Sequence, residues 1–101
     1  MNALPSIALL VVAGGRGSRA GEGLPKQYRR LGDATVLART LANLCAAAPD
    51  AALTVVIHPD DAALYAASVD ELPASARARI SPPALGGASR QESVRNGLEA
   101  L

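Results

Sequence analysis

The hydrophobic pattern of this chain alternates between two periods. Ile7-Ala8-Leu9-Leu10-Val11-Val12-Ala13 is continuously apolar and stops at glycine, the pattern of a strand covered on both faces in a parallel sheet. From Thr35 to Ala48, Leu37, Leu41, Leu44 and Cys45 recur at helical spacing and Pro49-Asp50 closes the run, which predicts an amphipathic helix. Leu53-Thr54-Val55-Val56-Ile57 is a second strand, ending at His58-Pro59 and expected beside the first. Asp60 or Asp61 is placed to cap a helix running to about Leu72, with Leu64, Tyr65, Ser68, Val69 and Leu72 toward one side and Pro73 ending it. A short strand is expected around Ile80. Ser89-Arg90-Gln91-Glu92 then has the spacing of a capping box, and Val94, Leu98 and Leu101 are expected to form the apolar stripe of the helix it opens.

This order of strands and helices predicts an α/β fold, a Rossmann-like parallel sheet. In such sheets ligands sit beyond the carboxyl ends of the strands, where the glycine-rich stretch after Ala13 lies. The pattern ends on a helix, and a three-stranded sheet would keep an uncovered edge, so we expect either a fragment of a longer protein, with residues 1–101 the N-terminal part of one larger domain, or a protein that leans on a partner. A domain of 101 residues has room for one core, and half of the residues are hydrophobic, mainly Ala, Leu and Val with two Tyr and neither Phe nor Trp. Small aliphatic side chains must fill it.

Ten basic residues against nine acidic ones leave a formal charge of +1, so no overall field argues for nucleic acid or an anionic membrane. An anion would have to be bound locally. Cys45 is the single cysteine, which excludes an intrachain disulfide and reads as a small buried hydrophobe on a helix. The run from Ile7 is too short for a membrane span and lacks the flanks of a secretory signal. The expected setting is the cytoplasm.

Gly14-Gly15-Arg16-Gly17-Ser18-Arg19 follows the first strand. Glycines there let backbone N–H groups turn toward a phosphate; the plainer alternative is a tight strand exit. Gly15-x-Gly17-x-x-Ala20 also meets the dinucleotide fingerprint, which keeps a Rossmann oxidoreductase in competition. Against it, Gly21, Gly23 and Pro25 interrupt any helix after Ala20, and the second strand ends in His58-Pro59 rather than in an acidic residue. A Walker A loop fails because Lys26 is followed by Gln27. What remains is an open loop bearing Arg19 and, seven residues on, Lys26 held by Pro25. Such a pair suits a transition state at a phosphorus centre, Arg forking across two oxygens and Lys acting as a movable point charge. Without the loop, the two would read as surface cations.

Ala13-Gly14-Gly15-Arg16-Gly17-Ser18-Arg19 and Leu24-Pro25-Lys26-Gln27-Tyr28 resemble the opening signature of the 2-C-methyl-D-erythritol 4-phosphate cytidylyltransferase family. Sugar-nucleotide pyrophosphorylases and molybdenum-cofactor guanylyltransferases share a looser form of that loop. Gly86-Gly87-Ala88-Ser89-Arg90-Gln91-Glu92-Ser93-Val94-Arg95-Asn96-Gly97-Leu98 resembles the segment that helps this family hold cytidine. The resemblance implies a nucleotidyltransferase fold of the nucleotide-diphospho-sugar transferase type, incomplete in this chain. The implied reaction joins CTP and 2-C-methyl-D-erythritol 4-phosphate into 4-diphosphocytidyl-2-C-methyl-D-erythritol and releases pyrophosphate, in non-mevalonate isoprenoid biosynthesis.

By that resemblance Arg19 and Lys26 are catalytic, while Ala13, Gly14, Gly15, Gly17, Gly87, Ala88 and Ser93 bind the nucleotide. Ser89 and Glu92 are read as capping residues and left out of the site. His58, before Pro59, is read as structural, Asp60 and Asp61 as capping and solvated, and Arg29, Arg30, Asp70 and Glu71 as surface. The family's magnesium-binding Asp, in an Asp-Ala-Ala-Arg-Pro segment, would follow Leu101, as would its acceptor-binding residues and the arm of its homodimer. A fused cyclodiphosphate synthase domain, present in some relatives, could lie further on. The 101-residue chain alone is therefore expected to be inactive or nearly so. A dinucleotide-binding oxidoreductase and a non-catalytic nucleotide-binding fragment are the alternatives.

Overall fold

A computed structural model describes residues 7–13 and 25–101 of the chain. Strand β1 (Ala8–Ala13) pairs in parallel with β4 (Ala52–Ile57), in a register that sets Leu9 beside Leu53, Val11 beside Val55 and Ala13 beside Ile57. The third strand of this sheet is β5 (Ala84–Leu85), parallel to β4 on its other side, giving the order β1-β4-β5. A separate two-stranded antiparallel hairpin is made by β2 (Arg30–Leu31) and β3 (Ala34–Thr35).

Alternation along the strands divides the sheet into two faces. Leu9, Val11 and Ala13 with Leu53, Val55 and Ile57 face the main core, where they meet Leu37, Ala38, Leu41 and Cys45 of helix α1 (Val36–Ala47) and Tyr65 of helix α2 (Ala62–Asp70). Leu72 and Ala76, the latter on the short helix α3 (Ala74–Arg77), complete that layer. Leu10 and Val56 point to the opposite face, covered by helix α4 (Arg90–Ala100). Leu41, Leu53, Val55, Val56 and Ile57 are wholly buried, each gaining roughly 1.5 to 3 kcal/mol from leaving water. The run after Ile7 was expected to be covered on both faces. The central strand is instead β4, and β1 is only half-buried, pairing on one side among the described residues.

Helix α1 forms within a residue of its expected span because Thr35 caps it, its Oγ1 accepting from the Ala38 N–H at 3.0 Å. The same hydroxyl donates to Ser68 Oγ at 2.9 Å inside the core. At its other end, Arg79 donates to the carbonyls of Cys45, Ala48 and Ala51, satisfying acceptors that a helix end leaves open. Cys45 is buried and unpaired in a disulfide, as read.

Other expectations are corrected. Asp61 stands at the N-cap of α2, one of the two positions expected, but makes no side-chain cap bond there; the 3-10 turn Pro59–Asp61 ahead of it is capped by His58, its Nδ1 accepting from the Asp60 N–H at 3.0 Å. Asp61 is buried rather than solvated. Ile80 makes only an isolated bridge to Leu53, and the third strand lies four residues later at Ala84–Leu85. Arg30 and Glu71 are not independent surface charges: Arg30 Nη1 donates to Glu71 Oε2 at 2.8 Å, and the Thr35 N–H donates to Glu71 Oε1 at 3.0 Å. These bonds, that from Arg30 first, hold the Glu71 carboxyl below its ordinary range.

The stripe expected on α4 is also misplaced. Leu98 and Leu101 are more than half exposed, and the residues of the helix that bury are Ser93 and Gly97. A Cβ at Gly97 would stand 2.6 Å from both Leu10 Cδ1 and Val56 Cγ2. The helix lies against the sheet through a side that carries almost no side chain.

Candidate active site

The three parallel strands end in Ala13, Ile57 and Leu85 on one side of the sheet. With neighbouring strands about 4.8 Å apart, the ends of β1 and β5 flank that of β4 and lie about 10 Å from each other. Each flank carries one of the chain's chemical motifs.

On the β5 side the chain leaves Leu85 into Gly86 and Gly87. The Gly86 N–H donates to the carbonyl of Ile57 at 2.7 Å, which extends pairing to β4 by one residue and sets the glycine turn over the end of the central strand. Ser93, buried on the first turn of α4, accepts from the Gly87 N–H at 3.1 Å. Glu92 Oε1 accepts from the Ala88 N–H at 2.6 Å, and Asn96 Nδ2 donates to the carbonyl of Leu85 at 2.9 Å. The capping box is half as expected. Ser89 Oγ accepts from the Glu92 N–H at 3.1 Å, but the Glu92 carboxylate reaches Ala88 instead of the cap residue. Three side chains of one helix therefore hold a turn of four residues.

This arrangement sharpens the roles read from the sequence. The N–H groups of Gly87 and Ala88 are engaged inside the turn. What this turn can turn toward a ligand is its carbonyls and a hydroxyl proton on Ser93, while its two glycines leave room for the chain's own Ser93 and Glu92, which a Cβ at Gly86 or Gly87 would meet at 2.9 and 2.4 Å. Glu92, set aside as a cap, and Asn96, not singled out, both brace the turn. The S-x-x-E spacing pointed to Glu92. Nothing in the local pattern pointed to Asn96.

On the β1 side, Lys26 opens a 3-10 turn, Lys26–Tyr28, entered through Pro25 at φ −56°. The turn is closed by bonds from the Tyr28 N–H to the Pro25 carbonyl at 2.9 Å and from the Arg29 N–H to the Lys26 carbonyl at 3.1 Å. Tyr28 is buried in the main core and Lys26 is exposed. Gln27, between them, donates from Nε2 to the carbonyl of Ala13 at 2.7 Å. Gln27 carries no site role in the sequence pattern, because this bond spans fourteen residues of chain and has no local signature. It brings Lys26 to the end of the strand that carries Ala13. Gly14, Gly15, Gly17 and Arg19 lie outside the described residues.

His58, at the end of β4, is committed through Nδ1 to its cap, in line with the structural role read for it. Among the described residues, no three His, Cys, Asp or Glu side chains come together as a metal-binding group. No helix among them is long and apolar enough to cross a membrane.

Comparison with known proteins bears on the same segments. Residues 7–101 match the model of a family described as IspD, 2-C-methyl-D-erythritol 4-phosphate cytidylyltransferase. The bifunctional enzyme IspD/IspF of Nitrobacter winogradskyi is 47% identical over 94 residues, covering 93% of this chain and 22% of the relative. That of Rhodospirillum rubrum is 48% identical over 99 residues, covering 97% and 24%. The 2-C-methyl-D-erythritol 4-phosphate cytidylyltransferase of Cereibacter sphaeroides is 49% identical over 94 residues, covering 93% and 40%. The chain thus spans between about a fifth and two fifths of the length of these curated relatives. The parallel α/β sheet and the two motifs at its carboxyl edge agree with the match, and the chain belongs to the 2-C-methyl-D-erythritol 4-phosphate cytidylyltransferase family.

Proposed function

We propose that this chain supplies the nucleotide-binding part of a cytidylyltransferase that acts on CTP and 2-C-methyl-D-erythritol 4-phosphate. In the reaction, a phosphate oxygen of the acceptor attacks the α-phosphorus of CTP. The bond from that phosphorus to the oxygen bridging it to the β-phosphate breaks, and pyrophosphate leaves with the electron pair. The acceptor phosphate is already ionised, so the step needs no general base.

The observation that carries this reading is the pairing of two motifs at one edge of a parallel sheet: the turn at Gly86–Ser93 beyond β5, and the Lys26 turn beside the end of β1. Their separation of about two strand spacings suits a nucleotide lying across the edge, with the base at one end and phosphates at the other. Gly87, Ala88 and Ser93 would receive the cytosine end through carbonyls and a hydroxyl. The backbone of Gly14, Gly15 and Gly17 would cradle phosphate, with Ala13 and Gly14 also near the base, and Lys26 with Arg19 would stabilise charge that grows on the equatorial oxygens at the α-phosphorus. Magnesium usually takes much of its coordination from nucleotide phosphates. Among the described residues no three His, Cys, Asp or Glu side chains come together to hold it. The acceptor and a homodimeric assembly belong to the same proposal for the whole enzyme.

The test is ligand selectivity, followed by turnover. Thermal shift of the 101-residue chain with CTP, GTP, ATP and NAD should give stabilisation by CTP above the others, since a ligand bound only by the folded state raises stability with its concentration. Stabilisation by NAD and not by CTP would favour the dinucleotide reading. Pyrophosphate release from CTP and methylerythritol phosphate, measured for the chain alone, should stay near background; a substantial rate would show that these residues suffice for catalysis.

A further inference from the structure

We propose that Gln27 is a positioning residue for nucleotide binding, its side-chain amide locking the Lys26 turn to the carboxyl end of β1. The inference rests on the nucleotide reading above and adds to it a residue whose own side chain contacts no substrate. The Lys26–Tyr28 turn is internally rigid, closed by its two backbone bonds and entered through proline. Its position against the sheet is a separate matter. Buried Tyr28 anchors the turn to the core, and Gln27 ties it to the sheet. The bond of Gln27 to the Ala13 carbonyl, 2.7 Å and part-buried, joins this turn to the strand end across fourteen residues.

That placement matters because an exposed lysine reaches far on a flexible stem, so its mean position follows from where its Cα is held. The same bond engages the last carbonyl of β1, and because the peptide group is planar, a held carbonyl fixes the peptide plane where the strand ends. One side-chain amide therefore sets the phosphate-side cation and the strand end against each other. Apolar replacement of Gln27 should leave the fold in place, since Tyr28 and the core below it are untouched, while letting Lys26 drift.

The test uses the full 101-residue chain with CTP as the probe. Four proteins are titrated calorimetrically: the unchanged chain, Lys26→Ala, Gln27→Met and the double variant. Methionine keeps the length and much of the stem packing of glutamine and removes the donor; thermal unfolding checks that the fold survives. Gln27→Met should weaken CTP binding about fivefold, the worth of one net hydrogen bond, and the double variant should bind no more weakly than Lys26→Ala, because Gln27 acts through Lys26. Full additivity of the two losses, or unchanged binding in Gln27→Met beside a loss in Lys26→Ala, would overturn the proposal. If the unchanged chain does not bind CTP, the nucleotide reading fails separately, and the lock is read from the nitrogen-15 resonances of the Gln27 side-chain amide. Hydrogen exchange there slower than in free glutamine supports the lock, and exchange at the free rate overturns it.

Discussion

Replacing Gly97 by alanine sets two effects of known size against each other. In a helix interior alanine is better than glycine by about 1 kcal/mol, so on an open face the substitution would stabilise. Gly97 instead lies against the sheet, where a Cβ would stand 2.6 Å from Leu10 Cδ1 and 2.6 Å from Val56 Cγ2, and 3.0 Å from Leu10 Cδ2. Leu10, on the half-buried β1, can turn to another rotamer. Val56 cannot yield as easily: it is wholly buried on the central strand, and a β-branched side chain has little freedom at χ1. Overpacking of this kind costs about 1 to 3 kcal/mol, so the sum is a net loss of up to about 2 kcal/mol. For a domain of this size, each kcal/mol lost lowers Tm by about 4 to 8 °C. Circular dichroism and urea unfolding of the 101-residue chain measure it directly. Val56→Ala in the same background removes the blocking methyl groups, so the double variant should be less destabilised than the two single changes added together. A Gly97→Ala chain that unfolds at higher temperature than the unchanged one would refute the packing argument. The consequence reaches the candidate site, because Ser93 lies one helical turn before Gly97 on the same side of α4, and displacing the helix withdraws Ser93 from the glycine turn.

Other outcomes follow from the same contacts. Ser93→Ala strands the Gly87 N–H, which now donates to Ser93 Oγ at 3.1 Å; we expect about 1 kcal/mol of stability to be lost, with CTP affinity falling in a calorimetric titration, and unchanged affinity would separate this hydroxyl from the nucleotide. Glu71→Gln removes a carboxylate whose folded pKa is depressed by the bond from Arg30 and then by that from Thr35. Its contribution is present above the ordinary carboxylate value near 4.5 and is lost as pH falls through the lower folded value, so the Tm gap between the two proteins should be open at pH 7 and close in acid; a gap independent of pH would contradict the linkage. The Tyr65 hydroxyl is buried with no hydrogen-bond partner among the described residues, and burial raises its pKa. Tyr65→Phe should therefore unfold at the same or a higher temperature, and a clear loss of stability would reveal a partner for that hydroxyl.

Much of the framework was legible because its determinants are local. Helix α1 begins where Thr35 can cap it and keeps Leu37, Leu41 and Cys45 on one side, all within a few residues of chain. The apolar strands ending at Ala13 and Ile57 are likewise short-range patterns, and their parallel pairing follows from the helix between them. The hairpin of β2 and β3 was not legible, since two-residue strands carry no period to detect. Its turn at Gly32, with φ 77°, suits the hairpin turns that place glycine at a positive φ, yet one glycine among several does not announce it.

What the sequence determined by itself is the order of the elements and where the motifs fall along it: glycines after the first strand, basic residues beyond them, and a glycine turn opening the last helix. Only the tertiary structure decided how these parts are held. Gln27 meets Ala13 across fourteen residues, and Asn96 meets Leu85 across eleven. Helix α4 turns Gly97 rather than Leu98 to the sheet, because steric room at Leu10 and Val56, and not hydrophobicity along the helix, sets its contact face. A residue pattern records which side chains avoid water; it does not record which backbone needs space, or which distant carbonyl needs a donor.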